Sequence, residues 1–389
     1  YDEQLKEPLL VADIWPGERG SNPSSFVRLG AKLLFAAETH NELKPGYTLG
    51  VELWVSDGTA KGTQLVQNIY DGADSGFRKW MTTRDGVAYF EAETPETGEE
   101  LWRTDGTKEG TRLVEDIWAG ADGSLPTRRD YGWLPDGRLV FIGLRDARSV
   151  LLAFNPGDGT FHELRVVDLD ANVLREALGV VFFTTQDIEH GWELWKTDGT
   201  QAGTVIVQDI NPGAPDSTPG SLVSYDGKAY FPATDADHGR ELWVTDGTES
   251  GTHRVKDICR GAADSSPYQL TVSGPYLYFA ASGENIGVEI WRTDGSEQGT
   301  ILLGDINPAQ ANSNPYSLID LGGSLVFGAT SSEYGVELWG SDGTPAGTRL
   351  IKDILRGPSL EPSGNPYRLT RHGSNVFFHA TTLENGVEL

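Results

Sequence analysis

The chain has 389 residues, with 31 Lys and Arg against 57 Asp and Glu, for a formal net charge of −26. Charge of that sign repels phosphate backbones and anionic lipid headgroups, which argues against nucleic-acid binding and against attachment to a membrane surface. No apolar run approaches the roughly 20 residues of a membrane helix, and Cys259, the sole cysteine, excludes an intrachain disulfide.

Tyr1 opens the chain and Met81 is its one methionine, so the sequence reads as a processed or trimmed product. Glycine and proline are abundant, and aromatic and β-branched runs stand between them. That pattern describes short strands joined by turns, an all-β chain.

The first strand signal is Leu9 to Ile14, and runs of the same type end at Ile69, Ile117, Leu169, Ile210, Ile258, Ile306 and Ile354. A second series runs from Leu34-Phe35 through Tyr89-Phe90, Val140-Phe141, Phe182-Phe183, Tyr230-Phe231, Tyr278-Phe279 and Val326-Phe327 to Phe377-Phe378. Both series have eight members.

Between them lies a motif. Glu-Leu-Trp or Glu-Ile-Trp starts at Glu52, Glu100, Glu193, Glu241, Glu289 and Glu337, and the last four stand at intervals of 48 residues. An Asp-Gly-Thr or Asp-Gly-Ser turn and a Gly-Thr pair follow each copy. A repeat of this length signals a repetitive architecture.

The unit after Pro315 shows the plan: strands at Tyr316 to Ile319, Ser324 to Phe327, Val336 to Trp339 and Arg349 to Lys352, separated by glycine turns. Four antiparallel strands per unit make a propeller blade. The chain ends inside a third strand, Gly386 to Leu389, and begins just ahead of a fourth. The expectation is a single domain, an eight-bladed β-propeller of four-stranded antiparallel blades, closed by the N-terminal strand completing the C-terminal blade. The blades are approximately 15–69, 70–117, 118–169, 170–210, 211–258, 259–306, 307–354, and 355–389 with 1–14. The third blade lacks the motif at Val150 to Thr160, and the fourth opens atypically at Asp170 to Arg175.

The motif Glu-Leu-Trp-x-x-Asp-Gly-Thr followed by Gly-Thr resembles the ELWxxDGT repeat family of secreted and surface-associated bacterial proteins, over essentially the whole chain. The blades are also similar to the YWTD type. The resemblance implies an extracellular or cell-surface location and supplies no general catalytic residues. Within the motif, Trp54, Trp102, Trp195, Trp243, Trp291 and Trp339 fit as apolar plates between blades. Asp57, Asp105, Asp198, Asp246, Asp294 and Asp342 fit as acceptors for turn N–H groups.

Function is sought where repeats differ, on the face carrying the second-to-third and fourth-to-first loops. Equivalent first-strand positions hold Ser25, Lys79, Arg128, Ser221, Gln269, Ser317 and Arg368. Lys79, Arg128 and Arg368, with Arg78 and Arg129 beside them, point to an anionic ligand such as an acidic sugar. Ion pairing to local carboxylates such as Asp130 and Asp146 is the alternative. Trp15, Tyr70 and Trp118 follow the fourth strand in successive blades, and Trp80, Tyr131 and Trp133 share the divergent sector; such aromatics suit a sugar face or a protein surface.

His190 and His238, 48 residues apart, form a second candidate, either turn residues or a base paired with a carboxylate. No metal-ligand spacing accompanies them. Acidic loops at Asp235 to Asp237 and at Asp257 with Asp264 leave a structural calcium open, without a dedicated calcium motif; no other cofactor is expected. No nucleophile elbow or phosphate loop is present.

The leading expectation is an extracellular bacterial propeller that binds a glycan or protein partner without catalysis, through Arg78, Lys79, Trp80, Arg128, Arg129 and Tyr131. The first alternative is a lyase or hydrolase on an acidic polysaccharide, with Lys79 and Arg128 neutralising a uronate and His190, His238 or Tyr131 moving the proton. The second is a structural module of a surface assembly.

Overall fold

A computed structural model describes residues 9–17, 20–40, 48–71, 74–124, 131–168, 172–355, 363–382 and 386–388. Among them the regular structure is strand alone, arranged in seven four-stranded sheets and one three-stranded sheet, all antiparallel, with strands adjacent in sequence adjacent in space. No helix is long and apolar enough to cross a membrane among these residues.

The chain divides into two compact units, Tyr1–Ala171 with Gly199–Gln201, and Asn172–Asp198 with Ala202–Leu389. The first unit carries three sheets. Its second sheet is Phe77–Arg84, Val87–Thr94, Gly98–Thr104 and Arg112–Leu113. The motif-less third unit of sequence still forms a full sheet, because Arg148–Asn155 and Thr160–Val166 pair across an Asn-Pro-Gly-Asp-Gly turn.

The second unit carries five sheets. Its fourth sheet pairs Tyr316–Asp320, Leu325–Ser331, Gly335–Ser341 and Arg349–Lys352, within a few residues of the sequence expectation. The last sheet has three strands, Tyr367–His372, Asn375–Thr382 and Gly386–Glu388. The segment expected to close it, residues 9–14, forms no strand, and Leu9, Leu10 and Val11 are exposed.

Within each unit, successive sheets bury their faces against each other. One core joins Leu34 and Leu53 of the first sheet to Phe90 and Trp102 of the second, and another joins Phe182 and Leu194 to Phe231 and Trp243. The second-strand phenylalanines, from Phe90 to Phe327, are almost fully buried; each such side chain contributes about 1.5–3 kcal/mol of apolar burial. Trp102, Trp243 and Trp291 lie in cores shared with the preceding sheet, so they act as the inter-sheet plates expected from the motif.

The rest of the motif builds the turn between third and fourth strands. Asp246 Oδ1 accepts the Thr248 N–H at 2.9 Å and the Thr248 hydroxyl at 2.6 Å. That hydroxyl in turn accepts the Gly251 N–H, and the Thr252 hydroxyl donates to the Thr248 carbonyl while pairing with Thr245 Oγ1 at 2.6 Å. Gly247 sits at φ +89°, the left-handed region that glycine enters without cost. Gly251 is needed for space, since a Cβ there meets the Asp246 carboxylate.

Candidate functional site

The motif glutamates position the loops that lead into each next sheet. Glu52, Glu100, Glu193, Glu241, Glu289 and Glu337 are all fully buried. Glu241 accepts the N–H groups of Ile258 and Cys259 and the hydroxyl of Ser265, at 3.2, 3.1 and 2.6 Å. Glu193 and Glu289 repeat the arrangement with Ser217 and Ser313, and Glu100 with Ser124. Burial pushes the carboxyls of Glu52, Glu100, Glu193 and Glu241 up to about 7, with the hydrogen bonds opposing. Sequence reading had given these glutamates no role of their own.

Among the described residues, the first strands of six sheets pair with the second through a bulge. Ser25, Gln269, Ser317 and Arg368 adopt φ between 52° and 57°, so these four of the seven positions aligned from sequence are conformationally equivalent, whereas Ser221 precedes a first strand that has no bulge. The bulge places one such residue per strand at an interrupted step of the ladder. In the second sheet the step is longer, with Phe77 opposite Ala92 and Met81 opposite Phe90, and it contains Arg78, Lys79 and Trp80.

The structure brings together part of the expected sector. Trp80 stacks on Tyr131 with centroids 5.0 Å apart. Arg78 is held by Glu93 and by Glu99, the latter at 3.0 Å, so its charge is compensated within its own sheet. Trp15, Tyr70 and Trp118 are each half-buried. Arg368 is exposed and belongs to the last sheet of the second unit. Arg128, Arg129 and Asp130 lie outside the described residues.

His190 and His238 occupy equivalent turns. Nδ1 of each stands 2.9 Å from the carboxylate three residues earlier, Asp187 and Asp235. The hydrogen bond to Asp187 raises the His190 pKa, with burial opposing and nearby carboxylates adding. The same aspartates accept backbone N–H groups of their turns, and Arg254 approaches Asp235 at 3.3 Å. Asp257 and Asp264 also accept backbone N–H groups, from Gly261 and Arg240. Among the described residues no group of three His, Cys, Asp or Glu side chains is placed to hold a metal. Cys259 is buried, and desolvation with several nearby carboxylates pushes its thiol up to about 11, far from a nucleophile's range.

Clefts lie instead at the edge of the first-to-second and third-to-fourth turns, opposite to the loops favoured from sequence. One of about 600 Å³ is lined by Lys32, Lys61 and Lys108, with Asp57, Val55, Leu65 and Val66 among its walls. A second, of about 350 Å³, includes Arg84, Arg103, Tyr89 and Trp133. There Arg84 lies 5.2 Å over the Trp133 ring and donates to the carbonyls of Leu134 and Pro135. Both belong to the first unit. A sequence signal for the first existed in Lys61 and Lys108, which fill adjacent turn positions where other copies carry Ala, Ser, Gln, Glu or Pro.

No family model matches the chain. No curated protein matches it either. Solved structures do. A dipeptidyl peptidase 4 from Porphyromonas gingivalis aligns over 90% of this chain and 55% of its own, at 8% identity and a TM-score of 0.55. A puromycin hydrolase aligns over 93% and 58%, at 16% identity and a TM-score of 0.40. The β-propeller domain of the Trilobed protease from Pyrococcus furiosus aligns over 85% and 97%, at 13% identity and a TM-score of 0.39. The chain thus spans a little over half the length of the first two. At these identities the likeness is one of fold, and the fold is propeller-like. The expectation of a non-catalytic propeller for a glycan or protein partner is corrected here, because the neighbour that aligns at a TM-score of 0.55 is a peptidase.

Proposed function

We propose that this chain is the propeller component of a peptidase-type protein, receiving peptide substrate for a catalytic centre outside the described residues. The observation that carries this reading is the alignment of nine tenths of the chain with about half of a dipeptidyl peptidase, at a TM-score above one half. The buried Cys259 and the turn-bound His190 and His238 support a catalytic centre located elsewhere.

The proposal includes eight blades in one propeller, with residues 9–14 supplying the fourth strand that the last sheet lacks. Exposed Leu9, Leu10 and Val11 support it, being apolar residues suited to a strand. Membership of the ELWxxDGT repeat family, with a secreted or surface location, is proposed on the six motif copies.

The test is hydrolysis. The full-length protein, incubated with aminoacyl, dipeptidyl and proline-containing p-nitroanilides and with a mixed peptide library, is expected to release p-nitroaniline or shorten peptides. Intact substrates across the whole panel would overturn the reading.

A further inference from the structure

The lysine cleft of the first unit stands apart in a chain of net charge −26. Three exposed ammonium-bearing side chains, Lys32, Lys61 and Lys108, border one cavity of about 600 Å³. They come from two sheets: Lys32 and Lys61 from the first, Lys108 from the turn of the second.

Their charges are uncompensated by ion pairs among the described residues. The one carboxylate in the wall among the described residues, Asp57, has its Oδ1 occupied by the N–H and hydroxyl of Thr59, at 2.9 and 2.7 Å. Those hydrogen bonds hold its carboxyl below the usual range, with Lys32 adding a smaller contribution. Two lysines of the second unit behave differently: Lys196 Nζ donates to the Gly247 carbonyl at 2.6 Å, and Lys256 Nζ to the carbonyls of Glu297 and Thr300. Those lysines brace turns, whereas the three in the cleft are left facing solvent. The position of Lys108 is taken by Glu249 and Glu297 in two other copies, so the positive charge belongs to this cleft and not to the repeat.

Between the lysines the wall is mixed, with half-buried Leu65 and buried Val55 and Val66 beside the polar Thr59, Gln64 and Thr107. An inorganic anion uses only the ammonium groups, but a peptide with carboxylate side chains beside aliphatic ones uses both surfaces. We propose that this cleft binds acidic peptide segments, Asp- or Glu-rich with interspersed Leu or Val, as the substrate class of the peptidase-type protein; the choice of a peptide rests on the reading given under Proposed function. At physiological ionic strength charges more than about 8 Å away are screened. Within the lining three lysines then stand against one carboxylate, Asp57, and the distant acidic surface counts for less.

The experiment measures binding separately from cleavage. Fluorescence anisotropy follows a labelled peptide of alternating Glu and Leu, the same peptide with Gln for Glu, and inorganic polyphosphate as competitor. The acidic peptide is expected to bind and the amide version not to. Lys61→Ala with Lys108→Ala is expected to weaken binding at least tenfold with an unchanged thermal melt, Lys61→Glu to abolish it, and Lys228→Ala, an exposed lysine of another sheet, to leave it unchanged. Binding that is absent, equal for the amide peptide, or unaltered in the double variant would overturn the proposal. Displacement by polyphosphate but not by excess unlabelled peptide would overturn it in favour of a simple anion site. Lysine-dependent binding without hydrolysis of any peptide would sink the peptidase reading and leave the cleft; hydrolysis without such binding would do the reverse.

Discussion

Replacing Glu241 by glutamine removes an ionisable group while keeping its shape, and so isolates what the buried carboxyl does to stability. In the folded chain this carboxyl is pushed up to about 7, by burial first and by Asp257 in addition, against hydrogen bonds from Ser265, Cys259 and Ile258. In the unfolded chain it titrates near the ordinary 4.5. Below pH 4.5 both states hold the proton and the group is neutral to stability. Between 4.5 and 7 the unfolded chain releases the proton and the folded chain keeps it, so stability falls as pH rises. Above 7 both are ionised and the loss is complete. At about 1.4 kcal/mol per pKa unit the ceiling is about 3 kcal/mol. Allowing for water reaching the loop, about 1–3 kcal/mol is expected for this one residue. Urea unfolding followed by tryptophan fluorescence at pH 5 and pH 8 gives the difference. Glu241→Gln is expected to be less stable than wild type at pH 5, where an amide N–H2 faces backbone donors, and to show a smaller loss between the two pH values by that amount. An unchanged pH difference would refute the reasoning, because Glu241 would then be ionised in the folded chain throughout.

Other consequences are open to simpler measurements. Gly251→Ala places a methyl against the Asp246 carboxylate and breaks the turn; it is expected to cost about 1–3 kcal/mol, read as a lowered Tm. Thr252→Val removes the hydroxyl shared by Thr245 and the Thr248 carbonyl, and a loss of about 1–2 kcal/mol in urea unfolding is expected. A double-mutant cycle on Trp80 and Tyr131, each replaced by Leu, is expected to give a coupling of about 0.5–1.5 kcal/mol from the ring stack; zero coupling would mean the rings merely adjoin. Cys259 is expected to resist a thiol reagent at pH 8 in the native chain and to react at once in urea.

Much of the fold was legible because the repeat states its local chemistry several times over. The four strands after Pro315 were placed within a few residues, since alternation and glycine turns act over neighbouring positions. The turn role of Asp246 and the inter-sheet place of Trp243 were also readable, one from hydrogen bonding two residues away and the other from size. Four of the seven aligned first-strand positions, Ser25, Gln269, Ser317 and Arg368, share one bulge, but Ser221 does not. The expected cationic sector fared differently: Arg78 proved to be engaged by Glu93 and Glu99, partners that nothing in its own strand announces.

The sequence by itself determined the all-β class, the strand order within each sheet and the turn chemistry, because these depend on contacts between residues a few places apart. Only the tertiary structure decided what the motif glutamates do. Glu241 reaches donors 17, 18 and 24 residues away, and no local pattern distinguishes such a buried acceptor from a solvated acid. It likewise decided that Lys32, Lys61 and Lys108 share one cleft, since two neighbouring sheets must first pack their apolar faces before charges carried on separate turns border the same space.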